Sequence, residues 1–182
     1  MRADIIFRRG TPDDARPAFD VGIAAVRDLM ARQNHPLTLD ADSFWLELQP
    51  YLMHLAAHAA EWWVAEDPSD GSLIGHARSI ERAGLFELTE LFVRPGAQSA
   101  GVGKQLIELA FPVGRGDVRL IIATNDVRAL ARYYAADTVA RFSMASLAAA
   151  PKPASGGGQD LGITRGTPGD TGVVGGIEKK GV

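Results

Sequence analysis

From Gln98 to Lys104 the chain reads Gln-Ser-Ala-Gly-Val-Gly-Lys, small residues and one cation of the kind that can hold an anion on main-chain amides. The apolar run Leu91-Phe92-Val93 precedes it and Leu106-Ile107 follows, so a strand should end in a turn that launches a helix. The first N–H groups of a helix have no acceptor within it and sit at the positive end of its dipole. Glycines at 101 and 103 remove the side chains that would keep a ligand at a distance. A phosphate or pyrophosphate fits such a nest.

Spacing excludes two familiar phosphate motifs. A P-loop needs glycine five positions before Gly103, where Gln98 stands, and a hydroxyl after Lys104, where Gln105 stands. A dinucleotide fingerprint needs glycine at 106, which is Leu106, and an acid after the next strand, where Ala123-Thr124 occurs. Other reactive types carry less. His54 and His58 have metal-pair spacing, but no glutamate of the zincin pattern lies between them and no third ligand is evident, so no metal is expected. Ser99 lacks a nearby His and Asp to activate it and reads as part of the phosphate turn. His35 and His76 read as solvated, and Trp62 and Trp63 as core and sheet packing with an acceptor wall as the second option.

The elements around the turn can be placed by periodicity. Ile5-Ile6-Phe7 starts as a strand, and Thr11-Pro12-Asp13-Asp14 has a capping threonine, an early proline and acids facing a helix start. Phe19, Ile23, Val26 and Met30 recur at helical spacing up to a break at Asn34-His35-Pro36. A second helix is expected from about Asp42 to Ala60, with Phe44, Leu48, Leu52 and Leu55 inward and Pro50 as a kink or break. Three strands follow, Trp62 to Ala65, Leu73 to Ile80 and Phe86 to Val93, as an antiparallel meander. After the glycine turn come a helix, a strand from Val118 to Ala123 and a helix from Val127 to about Ala136. That order implies a crossover and one parallel pair. Val139 to Leu147 is a candidate last strand.

Val93-Arg94-Pro95, then Gln98-Ser99-Ala100-Gly101-Val102-Gly103, resembles the acyl-CoA signature of the GNAT superfamily, in which Val-x-Pro leads to Gln or Arg, two residues, and Gly-x-Gly. The resemblance runs in order over about 145 residues. It implies an α/β fold of α+β type: a mixed, mostly antiparallel central sheet flanked by helices, with a central splayed parallel strand pair. It also implies an N-acetyltransferase that moves acetyl from acetyl-CoA, as co-substrate, directly to a primary amine. Residues 98–104, namely Gln98, Ser99, Ala100, Gly101, Val102, Gly103 and Lys104, would hold the pyrophosphate. Main-chain groups of Leu91, Phe92 and Val93 would pair with pantetheine. A family motif resembling Asn-x-x-Ala-x-x-x-Tyr then Gly-Phe falls on Asp126 to Tyr133, with Asn125 one residue early as a cofactor contact and Asp137-Thr138 in place of Gly-Phe. Without that glycine the last helix is expected to lengthen. Tyr133 matches the general acid, with Tyr134 its adjacent rival.

An amine of pKa about 10 needs a base at neutral pH, since freeing its lone pair costs roughly 4 kcal/mol. The resemblance implies Glu90 for that role, acting through water, with Glu87 second; strand alternation sets the two on opposite faces.

Bulk composition agrees. The net charge of −3 creates no basic field for nucleic acid or anionic membranes, and the absence of cysteine fits a reducing compartment, so the protein is expected in the cytoplasm. Residues 3–148 should form the acyltransferase domain. Residues 151–182 hold ten of the 20 glycines and no aromatic residue, and should be a disordered tail. The expected partners are a small-molecule or peptide amine and, across an open sheet edge, a second copy in a homodimer. Slight acidity mildly favours a cationic acceptor such as a polyamine, aminoglycoside or lysine side chain. Two rivals stand beside catalysis: a CoA-binding regulatory module without turnover, and one half of a tandem protein.

Overall fold

The computed structural model describes residues 5–98 and 101–144. Met1–Arg141 forms one compact unit, and of the second, Phe142–Val182, only residues 142–144 are described. The expected tail at 151–182 lies outside the described residues.

The first unit is built on a five-stranded sheet in the order β1-β2-β3-β4-β5: Ile6–Arg9, Glu61–Glu66, Leu73–Arg82, Leu85–Val93 and Val118–Ile121. The first four strands pair antiparallel and β4 pairs parallel with β5. The fold is the mixed, mostly antiparallel sheet that the sequence predicts. The parallel pair, however, lies at one end of the sheet rather than at its centre, because residues 139–144 form no strand that could flank β5; the rest of that candidate strand lies outside the described residues.

Helix α1, Ala15–Arg32, starts where Thr11 donates both its N–H and its hydroxyl to Asp14 Oδ2, at 2.7 and 2.9 Å. Arg8 from β1 donates two further bonds to the same carboxylate, fixing the strand to the helix start. Asn34 in the left-handed region, φ 60°, ends that segment at the expected break. Helix α2, Ala41–Ala57, passes through Pro50 without breaking. Pro50 lies on the exposed side, where water can take the Leu46 carbonyl that its missing N–H would have bonded.

Sheet alternation divides the core. Trp62, Val64 and Phe92 pack with α1 and α2; Ala65, Ala77, Phe86 and Leu88 pack with α3, Val102–Ala110. A Cβ on Gly75 would lie 2.9 Å from Leu106 Cδ1 and 3.1 Å from Val102 Cγ1, so glycine sets how closely α3 approaches β3. With helices on both faces, β3 is buried from Leu73 to Ser79. His76 therefore sits in the interior at 1% exposure, not in solvent as its polarity suggested.

Helix α4, Val127–Ala135, does not lengthen. Asp137 takes the left-handed conformation itself, φ 58°. Its N–H bonds Tyr134 O and that of Thr138 bonds Tyr133 O, the two hydrogen bonds of a Schellman stop.

Candidate active site

The register of β4 explains the cavity beside it. β5 pairs with β4 only from Leu85↔Val118 to Leu88↔Ile121, so the last part of β4 has no neighbour on that side. Arg94 N–H bonds Ile74 O at 2.8 Å; in an antiparallel ladder the bonded pairs alternate. Phe92 therefore bonds toward β3, whereas Leu91 and Val93 turn their main-chain groups into the gap. Of the three residues expected to meet pantetheine, Phe92 is the one whose main chain is paired within the sheet. Gln98 Nε2 donates to Val93 O at 3.1 Å, so Gln98 acts through its side chain on the strand end.

A bulge sets which face of the sheet Glu90 occupies. Arg78 faces Glu90 and Ser79 faces Leu88, leaving Thr89 as the extra residue, with its hydroxyl on Arg78 O at 3.0 Å. The inserted residue corrects the simple alternation: Glu87 and Glu90 lie on the same face of the sheet, because Glu87 opposes Ile80 and Glu90 opposes Arg78, two residues apart on β3.

The cavity between the splayed strands holds about 190 Å³. Glu90 and Tyr133 both line it, as do Leu91, Phe92, Val93, Gln98 and Gly103. Neither Glu87, Tyr134 nor either of Trp62 and Trp63 does. Tyr134 is 53% exposed on the outer side of α4. Burial, with the charge of Asp126 adding to it, raises the Tyr133 phenol above its ordinary value, which keeps its proton in place at neutral pH.

Glu90 is not an isolated carboxylate. Its Oε2 lies 3.3 Å from Arg78 Nε, and the side chains are 15% and 1% exposed. Arg78 also donates to Leu52 O at 3.1 Å and stacks 4.1 Å from the Trp62 ring. Burial lowers the Arg78 guanidinium from its usual value, and the Glu90 charge opposes that shift. His76 packs on Phe92 with ring centroids 5.6 Å apart, and burial lowers its imidazole as well.

Two residues before Gly103, Gly101 caps α3 with φ 84°, a conformation that favours glycine, and a Cβ there would meet open space; Gly101 does not itself line the cavity. Val102 and Gly103 occupy the first turn, where N–H groups lack helical acceptors. Val102 is core, 1% exposed, and only Gly103 of this turn lines the cavity. Lys104 N–H bonds Gly101 O at 3.0 Å, and its side chain is 75% exposed beside Glu108 rather than in this cavity. Ser99 and Ala100 lie outside the described residues. A Cβ on Gly103 would stand 3.4 Å from Arg132 Cζ, which places a guanidinium beside the helix start.

Asn125 is exposed and does not line the cavity. Asp126 takes the place expected of it: it caps α4 by accepting from Arg128 N–H at 2.9 Å, which requires a side-chain acceptor at that position, and it faces the cavity. Desolvation works to raise its carboxyl, but the Arg128 N–H and the charges of Arg128 and Arg32 outweigh it and hold the group below its ordinary value. His54 and His58 stack at 4.2 Å, and His58 Nδ1 lies 2.9 Å from His54 O. Sequence reasoning missed Arg78, Arg132 and Arg32. An arginine amid the apolar run Leu73 to Ile80 was the available sign of a buried counter-charge; the other two had none.

Residues 58–136 match the family model of the GNAT acetyltransferase domain. No protein of curated function matches the sequence. Among solved structures, a candidate acetyltransferase of Pyrococcus horikoshii superposes with a TM-score of 0.56 at 16% identity, over 76% of this chain and 44% of that one. The chain thus spans less than half the length of that protein. A candidate acetyl transferase of Pyrococcus furiosus gives 0.56 at 14% identity, covering 80% of this chain and 99% of that one. A GNAT-family acetyltransferase of Staphylococcus aureus Mu50 gives 0.52 at 13% identity, covering 74% and 83%. At these identities the structures show a common fold, and it is the fold that the matched segment specifies. Residues 58–136 of the chain are thus similar to the GNAT acetyltransferase domain, on a fold shared with solved acetyltransferases.

Proposed function

We propose that the protein is an N-acetyltransferase that carries acetyl from acetyl-CoA to a primary amine by direct transfer. One observation carries this: a single cavity joins a glycine-opened helix start flanked by Arg132 to a gap in the sheet lined by Glu90 and Tyr133. The Gly103 N–H at the helix start, with the Arg132 guanidinium beside it, suits a pyrophosphate. The inward main-chain groups of Leu91 and Val93 suit the amides of a pantetheine arm. The thioester supplies the activated acetyl group.

Glu90 receives the ammonium proton, directly or across a water, and the freed nitrogen attacks the acetyl carbon. As the carbon–sulfur bond breaks, Tyr133 gives its proton to the leaving thiolate; the second proton, lost from the attached nitrogen, restores the phenol directly or across a water, and Glu90 releases the first to solvent. Holding both reactants in one narrow gap supplies orientation, the largest contribution available without a covalent enzyme intermediate. A chain without cysteine suits the reducing cytoplasm, which is the location we propose.

The pairing of Glu90 with Arg78 favours one rival, a domain that binds CoA without turnover. Calorimetry of the full chain with CoA and acetyl-CoA, followed by thiol release across an amine panel, distinguishes the two. Binding with amine-dependent release, slowed roughly 100-fold or more by Tyr133→Phe, supports catalysis. Binding without release supports the rival, and no binding at hundreds of micromolar rejects both.

A further inference from the structure

Resting on the transfer proposed above, we infer that the acceptor is a small monoamine with an apolar arm, not a polyamine, an aminoglycoside or a lysine in a cationic peptide. The cavity is small; at about 190 Å³ it is below the roughly 300 Å³ of the smallest drug-sized pockets, and the acceptor shares it with the acetyl end of the cofactor. On the side away from Gly103 and Arg132, its wall is the α1 stripe Ala25, Val26 and Leu29.

Its charge is equally informative. Among the described residues two acids line it, Glu90 and Asp126, and both are already countered. Glu90 faces Arg78. Asp126 lies 3.4 Å from Arg32 and 3.6 Å from Arg128, while the same two arginines reach Asp28 at 2.9 and 3.9 Å. These four residues close a ring of ion pairs across the mouth between α1 and α4. No carboxylate is left over for a second or third ammonium, and the lining arginines outnumber the lining acids. A polycation would enter against that balance. An apolar wall also disfavours the charged form of a single amine, which assists the deprotonation that transfer requires. Slight acidity of the whole chain, which suggested a cationic acceptor, is therefore not what the site presents.

The test is a set of initial-rate measurements with the full chain and saturating acetyl-CoA, using the n-alkylamines from propylamine to hexylamine, phenethylamine, spermidine and kanamycin. Each buried methylene should raise kcat/KM roughly fourfold. The best apolar monoamine should exceed spermidine and kanamycin at least tenfold. Val26→Ala should lower kcat/KM for hexylamine roughly tenfold more than for propylamine; Val26→Asp should move the preference toward putrescine. A flat alkylamine series, or preference for spermidine or kanamycin, overturns the inference and leaves acetyl transfer standing. Absence of acetyl-CoA binding together with no thiol release overturns the transfer itself.

Discussion

Replacing Glu90 by Gln tests the central electrostatic feature of the site. Arg78 is 1% exposed, and Glu90, 3.3 Å away, is its only ion-pair partner among the described residues. Removing one partner of a buried pair costs about 3–5 kcal/mol, because the other is left charged in a medium that solvates it poorly. Here Glu90 keeps 15% exposure, and Arg78 retains the Leu52 carbonyl and the Trp62 ring. The loss should therefore sit near the lower bound, about 3 kcal/mol. With a urea m value near 2 kcal/mol/M, the midpoint should fall by about 1.5 M. Trp62 stacks on the affected guanidinium, so tryptophan fluorescence during urea unfolding reports on the relevant region.

The double variant Arg78→Met with Glu90→Gln should recover most of that loss, since an apolar side chain of similar volume removes the stranded charge. A single variant whose midpoint lies within 0.3 M of the parent (about 0.6 kcal/mol at that m value) would refute the reasoning, as would a double variant no more stable than the single one. The same pair of variants separates two roles for Glu90. If it accepts the substrate proton, the double variant is stable yet slower by roughly 10²–10⁴. If it serves only as counter-ion, the double variant keeps the parent rate.

Two further outcomes follow from particular residues. Burial holds the His76 imidazole low and so keeps it neutral in the folded protein, whereas in the unfolded chain it titrates near 6.5. Below that pH the unfolded state binds the extra proton, so stability should fall as pH drops from 6.5 toward 5, by at most about 1.4 kcal/mol per unit. His76→Phe should flatten that slope in urea titrations. Asp14 and Asp126, held low by arginines, lose their contribution only on further acidification through the carboxylate range, which leaves the window to His76; an unchanged slope in the variant would count against its burial. Asp137→Gly should raise stability by about 0.5–1 kcal/mol, since glycine adopts φ near 58° without a Cβ clash. A lower melting temperature in that variant would show that the Asp137 side chain contributes more than its backbone conformation costs.

How far the site could be read from sequence depends on the range of the interactions that make it. The helix start at Gly101 and Gly103 was legible because its chemistry is local: a strand, a left-handed glycine and a first turn lie within a dozen residues. Tyr133 was named only by its place in the family motif, with Tyr134 as rival; folding sets Tyr133 in the cavity lining and leaves Tyr134 exposed. The placement of Glu90 was not legible, because one extra residue at Thr89 reverses the alternation, and a bulge leaves no mark in a run of Leu, Thr, Glu and Leu. Asn125 and Asp126 show the same limit at shorter range. Both can cap a helix, and the choice is made by Arg32 on α1, 94 residues distant, which bonds the carboxylate at 3.4 Å. In the ring of charges beside the cavity, the pairs Arg32–Asp126 and Arg128–Asp28 are of this distant kind. Asp28, Arg32, Asp126 and Arg128 are four ordinary surface charges in the sequence; folding sets them against one another, and that cancellation, more than any motif, leaves the cavity without an anion to spare for a polycation.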